Sequence, residues 1–237
     1  MLLALNCLLL LPFAFFVEWH LSPTIVMLHL LSVVMLVGSS VPIWDMFDAG
    51  AASATLTAQA LSPLAAVVGT AILIPGVVSL PQVFGAVLVV AGVTWALRDA
   101  FVSLGRRGAV VRILIAATGV GMLTVLTRML ADQGVGVVET YVARTGMGTA
   151  LMLIAIPPRG IPVSAAPRLL VRSITVTIYF MLIIVAVQDG SPVVVQTMVS
   201  VAPLLSLTYE SLRSRRAPAP HALAGAILVM LGVLVVL

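Results

Sequence analysis

Nine apolar runs, each closed by proline, glycine or charge, take up almost the whole chain: Leu2–Val17, Thr24–Ile43, Ala52–Leu73, Ser79–Leu97, Val110–Leu130, Val135–Ile156, Leu169–Val187, Pro192–Tyr209 and Ala219–Leu237. A membrane-spanning helix needs roughly 20 mostly apolar residues and a barrel strand only about 9–11, so runs of this length predict helices that cross a bilayer. Of the 237 residues 62% are hydrophobic and 8% charged, against about 45–50% and about 25% in a soluble domain. No soluble core uses that much apolar surface. The expected fold class is all-α, a polytopic membrane helix bundle of about nine spans, with no room for a further folded domain. A soluble enzyme is excluded.

The formal charge of +4 comes from 12 arginines and no lysine. With 5% aromatic residues and no continuous basic stripe, that charge marks topology and predicts no nucleic-acid partner. Numbering the sides alternately, Arg98, Arg106, Arg107, Arg112, Arg159, Arg168, Arg172, Arg213, Arg215 and Arg216 share a side with the N-terminus, while Arg128 lies near the other face. By the positive-inside rule that side is cytoplasmic and the C-terminus lies outside. Cys7 is the single cysteine, so no intrachain disulfide forms and packing is its expected role. The opening run lacks a basic start and a small-residue cleavage site, and reads as a first span.

A repeat runs through the chain at a shift of 140 residues. LSPL followed by GAVLVVAGV places Pro63, Gly85 and Gly92; VAPL followed by GAILVMLGV places Pro203, Gly225 and Gly232. Both copies have 22 residues from proline to first glycine and seven to the second, with no gap, and Gly50 and Gly190 match at the same shift. Glycines seven apart share a helix face and let membrane helices approach closely. Packing is the role expected of them. Pro63 and Pro203 are expected to interrupt helical hydrogen bonding inside their spans, and matched broken spans in two halves point to a transporter's central site. The halves are unequal: residues 1–98 hold four spans and residues 109–237 hold five, and the span that would precede the first four maps before Met1. The expected plan is an inverted repeat of five plus five spans with the first absent.

These elements resemble the EamA-like members of the drug/metabolite transporter superfamily. The fourth and fifth spans of each repeat in that family read as a proline-leucine helix, a short polar loop and a helix with Gly-x6-Gly. The matching stretches here are LSPLAAVVGTAILIPGVVSLPQVFGAVLVVAGV and VAPLLSLTYESLRSRRAPAPHALAGAILVMLGV. Arg144 matches the arginine that often opens the second helix of a family repeat. The chain departs from the family twice. Where members often carry a Gly-Glu pair it has Pro75-Gly76 and Arg215-Arg216. The family's usual ten spans with cytoplasmic termini would also place the arginine-rich loops outside, opposite to the charge bias.

Ionisable groups in mid-bilayer are costly, so each needs a partner, water or a place near a span end. Glu18, Asp45, Asp48, Asp99, Asp132, Asp189 and Glu210 take the last option. His29, one turn into its span, and Glu139 with Arg144, five apart in the sixth, are the candidates for proton coupling. The alternatives are a hydrogen-bonded packing histidine, and a structural pairing of Glu139 and Arg144 with each other or with neighbouring helices. Uncharged polar groups orient a ligand at lower desolvation cost. Gln59 and Ser62 before Pro63, and Gln196 and Ser200 before Pro203, are candidate substrate contacts, with Thr55 and Thr197 beside them. Ser32, Ser39 and Trp44 on the second span, and Thr175 and Tyr179 on the seventh, would line the same cavity if the repeats pack as the resemblance implies. Interhelical hydrogen bonding is the alternative for each.

The resemblance implies a secondary transporter, an exporter of a small organic metabolite or drug-like solute, working by alternating access in the cell membrane. No P-loop is present, and no cofactor or metal is expected, because His20, His29 and His221 have no Cys, Asp or Glu at ligand spacing. The same scatter weighs against an intramembrane enzyme. A non-transporting or truncated subunit is the other alternative. The expected partners are a small-molecule substrate and the lipid bilayer, with a homodimer permitted.

Overall fold

The computed structural model describes residues 2–48, 52–96, 107–155, 166–202, 204–205, 208–209 and 219–237. Among them are nine helices: α1 (Leu2–Ala14), α2 (Pro23–Asp48), α3 (Ala52–Leu73), α4 (Leu80–Ala96), α5 (Arg107–Asp132), α6 (Val137–Ala155), α7 (Ala166–Asp189), α8 (Pro192–Val199) and α9 (Pro220–Val236). Lipid offers a backbone no hydrogen bonds, so a chain this apolar closes them within helices. The protein is an all-α, polytopic membrane bundle. Among the described residues three helices meet the length and hydropathy of a full span: Pro23–Asp45, Val110–Asp132 and Ala166–Asp189. On α7 the apolar residues Val171, Ile178 and Leu182 are exposed, as a lipid-facing surface requires.

Helix ends are set by local chemistry. Ser22 accepts the Ile25 N–H at 3.2 Å ahead of Pro23, and Ser79 with Gln82 forms a reciprocal capping box before α4. α5 ends at Gly134, whose φ of 82° is the left-handed conformation open to glycine. There the Val135 N–H reaches the Leu130 carbonyl at 3.1 Å and the Gly134 N–H reaches Ala131 at 2.9 Å. The side chains of Leu130 and Val135 pack together beneath this turn.

Two boundaries differ most from expectation. α2 runs on to Asp48, so Trp44 and Asp45 lie in helix where a loop was expected. The eighth run does not form one helix to Tyr209: α8 has 8 residues and stops at Val199, about 12 Å at 1.5 Å per residue. Four residues on, Pro203 has no N–H to offer the Val199 carbonyl, though Pro203 itself lies outside the described residues. Pro63, its counterpart, is carried inside α3, which continues to Leu73. The expected break is therefore present in the second copy, where Ala202, Leu204, Leu205, Thr208 and Tyr209 are again helical after the turn at Ser200 and Val201, and is absent from the first, where α3 is continuous.

The chain forms two compact units, and each takes helices from both sequence halves. The first comprises Met1–Val37 and Leu126–Asp189. Its apolar core joins Ile25 and Leu28 to Leu126, Leu130 and Val135. Ser173 donates to the Asn6 side chain, and Tyr141 donates to Thr177 at 3.1 Å.

The second unit comprises Gly38–Val125 and Gly190–Leu237. At a shift of 140, Leu80 and Ala96, the ends of α4, become Pro220 and Val236, the ends of α9. These equivalent helices pack on each other through the four glycines. A Cβ added at Gly85 would lie 2.6 Å from the Gly232 carbonyl oxygen, and one at Gly92 would lie 2.6 Å from that of Gly225. Because 85 meets 232 and 92 meets 225, the two helices run antiparallel. Val89, Val93, Ala96 and Val229 fill the seam, with Ala60 and Leu204 beside it.

Backbone atoms cannot yield as side-chain ends do, so Gly92→Ala is expected to destabilise the protein by roughly 1–3 kcal/mol. Gly38→Ala, with nothing within 4 Å of the new methyl, is the control. Thermal melts of the detergent-solubilised protein should show a lowered midpoint for the first and none for the second.

Candidate functional site

The second unit gathers four of the residues expected to contact substrate. Pro63 cannot donate to the carbonyl of Gln59, four residues back. That freed carbonyl accepts the Ser62 hydroxyl at 2.6 Å and the Ser200 hydroxyl at 3.1 Å. The Gln196 amide donates to Ser62, and Ser200 also reaches the Gln196 carbonyl at 2.9 Å. Gln196, Ser62 and Ser200 are buried. The result is a polar link between α3 and the end of α8, the two helices related by the repeat. Gly121 of α5 lies against the same turn, for its added Cβ would stand 2.9 Å from the Ala66 nitrogen and 2.7 Å from the Ala65 methyl. Thr197 is buried and bonds within its helix to Val193 at 2.7 Å.

Other candidates are placed elsewhere. Trp44, on the part of α2 in this unit, is 43% exposed. Thr175 and Tyr179 belong to the first unit and lie outside the buried stripe of α7, which is Ser173, Thr177, Ile184 and Val187. Thr175 bonds to the Val171 carbonyl at 3.0 Å, and the Tyr179 ring meets that of Phe180 edge-on at 5.3 Å. The side chain of Thr55, like Pro203, lies outside the described residues.

The first unit holds the charged candidates, and it settles the pairing of Glu139 and Arg144. They do not pair with each other. Glu139 is buried; one oxygen accepts the His20 backbone N–H at 2.8 Å and the other meets His20 Nδ1 at 3.0 Å. Arg144 donates to the Thr127 hydroxyl at 2.7 Å. His29 is buried on α2, within electrostatic reach of both Glu139 and Arg144. Arg128 takes the interfacial role its place near a span end suggests, bridging to Asp132 at 2.9 Å and to the Gln188 carbonyl at 2.9 Å. His20, Thr127 and Gly121 were not singled out by sequence. No pattern read from the sequence pointed to any of the three.

Removing the Ser62 hydroxyl strands the Gln196 amide in a buried place. Ser62→Ala is therefore expected to cost about 1–3 kcal/mol, and Gln196→Leu added to it should recover part of that loss. A double-mutant cycle on thermal unfolding in detergent checks this: a coupling near zero would dissolve the link.

No curated protein matches the chain. A solved crystal structure is similar over 99% of this chain and 84% of its own, with a TM-score of 0.72 and 19% sequence identity, a likeness of fold alone. The profile of the EamA-like transporter family matches residues 107–237, more than half of the protein and the whole of its second repeat. The chain belongs to the EamA-like transporter family.

Proposed function

We propose that the protein is a secondary transporter that exports a small organic metabolite or drug-like solute across the cell membrane by alternating access, the two repeats moving about a site between equivalent helices. The observation that carries this reading is the link at Pro63. There a freed backbone carbonyl and the polar side chains of α3 and α8 meet in the interior of the second unit. Repeat-related helices, one of them short and bounded by proline, are how transporters of inverted-repeat design present polar groups at membrane depth. Membership of a transporter family supports the reading from a separate side. Gln59, Ser62, Gln196, Ser200 and Trp44 of the second unit are the proposed substrate contacts, and His29, Glu139 and Arg144 of the first are proposed to couple the cycle to protons.

Reconstituted liposomes preloaded with a panel of metabolites should show counterflow specific to a subset of solutes. Gln196→Leu, where it folds, should lower that counterflow about tenfold or more, the usual cost of removing a buried hydrogen-bonding group from a binding site. Counterflow absent across the panel would contradict the proposal.

A further inference from the structure

Seven buried side-chain polar atoms among the described residues lack partners; two, the hydroxyls of Thr70 and Ser191, lie in the second unit, and the other five gather on two helices of the first. On α2 they are both ring nitrogens of His29 and the Ser32 hydroxyl; on α6 they are the Thr140 hydroxyl and the Nε of Arg144. All four side chains are more than nine-tenths buried, with relative exposures of 5%, 0%, 0% and 7% in that order. Such groups are ordinarily paired, and leaving several unpaired in one place is costly.

The two sets face each other. His29 and Ser32 are three residues apart on one face of α2, and Thr140 and Arg144 four apart on one face of α6. Leu36 and Gly148 continue these stripes by one turn, and a Cβ on Gly148 would lie 3.3 Å from the Leu36 side chain. Alternating spans give α2 and α6 the same direction, so this contact closes one end of the paired stripes. His29, Ser32, Thr140 and Arg144 stand before it. The electrostatic reach of Glu139 and Arg144 to the His29 ring agrees with that placement.

The chemistry is one-sided. A guanidinium only donates, and hydroxyls and imidazole can also donate. The nearby carboxylate, Glu139, has each oxygen engaged by His20, and Thr127, the contribution of α5, accepts one Arg144 nitrogen and leaves Nε open. What the cluster lacks is an acceptor with negative charge. Packing alone does not demand it, because the repeat-related pair α1 and α7 carries Ala4, Leu169 and Arg172 where α6 and α2 carry Arg144, His29 and Ser32. That pair is closed by the bond from Ser173 to Asn6.

We propose that His29, Ser32, Thr140 and Arg144 bind the carboxylate of the transported solute, Arg144 supplying the charge and the other three supplying neutral donors. This rests on the transporter reading and names its substrate class: small organic acids. An ionised carboxylate is acceptor-only and matches a cluster in which Arg144 can only donate and the other three side chains can each turn a donor toward it.

Equilibrium binding to the full chain in nanodiscs tests it, with acetate, phenylacetate and N-acetylphenylalanine each measured against its own amide. At least one acid should bind about tenfold or more tightly than its amide, the usual weight of a charge-assisted hydrogen bond. Arg144→Gln should abolish the preference, and Ser32→Ala, which leaves every charge in place, should weaken the acid by about threefold or more. Equal binding of every acid and amide, or an acid preference kept in Arg144→Gln or untouched in Ser32→Ala, would overturn the site. Acid-selective binding without counterflow would leave the site standing and sink transport; counterflow blind to carboxylates would do the reverse.

Discussion

Where α4 crosses α9, each backbone occupies space that a side chain would otherwise take. In lipid the hydrophobic effect does not hold helices together, because the surrounding tails are as apolar as leucine. Close packing must do it, and Gly85, Gly92, Gly225 and Gly232 permit it. The contact is also its own image: applying the repeat to the meeting of Gly85 with Gly232 yields the meeting of Gly225 with Gly92. A single seam therefore joins the two halves of the chain symmetrically, and the valines of the second unit's core are arranged along it.

Around that frame two polar groupings are satisfied to different degrees, although the second unit too leaves the buried hydroxyls of Thr70 and Ser191 without partners. In the second, the backbone carbonyl released by Pro63 accepts from Ser62 and shares the Ser200 proton with the Gln196 carbonyl, and the Gln196 amide completes the link. In the first, Arg144 keeps one donor open beside an unpaired histidine and two unpaired hydroxyls. Buried polar groups left unmatched are expensive in any protein and more so where water is absent. The open cluster in the first unit is where a carboxylate is proposed to bind, while the closed link at Pro63 must exchange its hydrogen bonds for any contact with a solute.

The architecture was legible in sequence to the extent that it follows from short-range pattern. The glycine register at a shift of 140 names the residues of the seam, and the same shift carries the ends of α4 onto those of α9. The types of residue at the Pro63 link were legible as well, since proline frees a carbonyl and serine and glutamine are groups that can serve it. What sequence did not carry was partner choice over distance. For Glu139 and Arg144, five residues apart, the sequence left open a local pair or partners on neighbouring helices; the structure takes the second, Glu139 meeting His20, 119 residues away, and Arg144 meeting Thr127. Nothing in periodicity distinguishes a proline that a helix absorbs, as α3 does at Pro63, from one before which a helix stops, as α8 does ahead of Pro203. That outcome depends on which neighbours can take up the freed carbonyl, and neighbours are set by packing.

The antiparallel seam requires the repeats to enter the membrane in opposite senses, and cysteine accessibility reads this directly. Ser79 and Ala219 are one residue from the starts of the equivalent helices α4 and α9. In a Cys7→Ser background in intact cells, a membrane-impermeant maleimide should label Ser79→Cys from outside and should label Ala219→Cys only after permeabilisation. Labelling of both positions from the same side would contradict the inverted repeat and with it the symmetric seam on which the account rests.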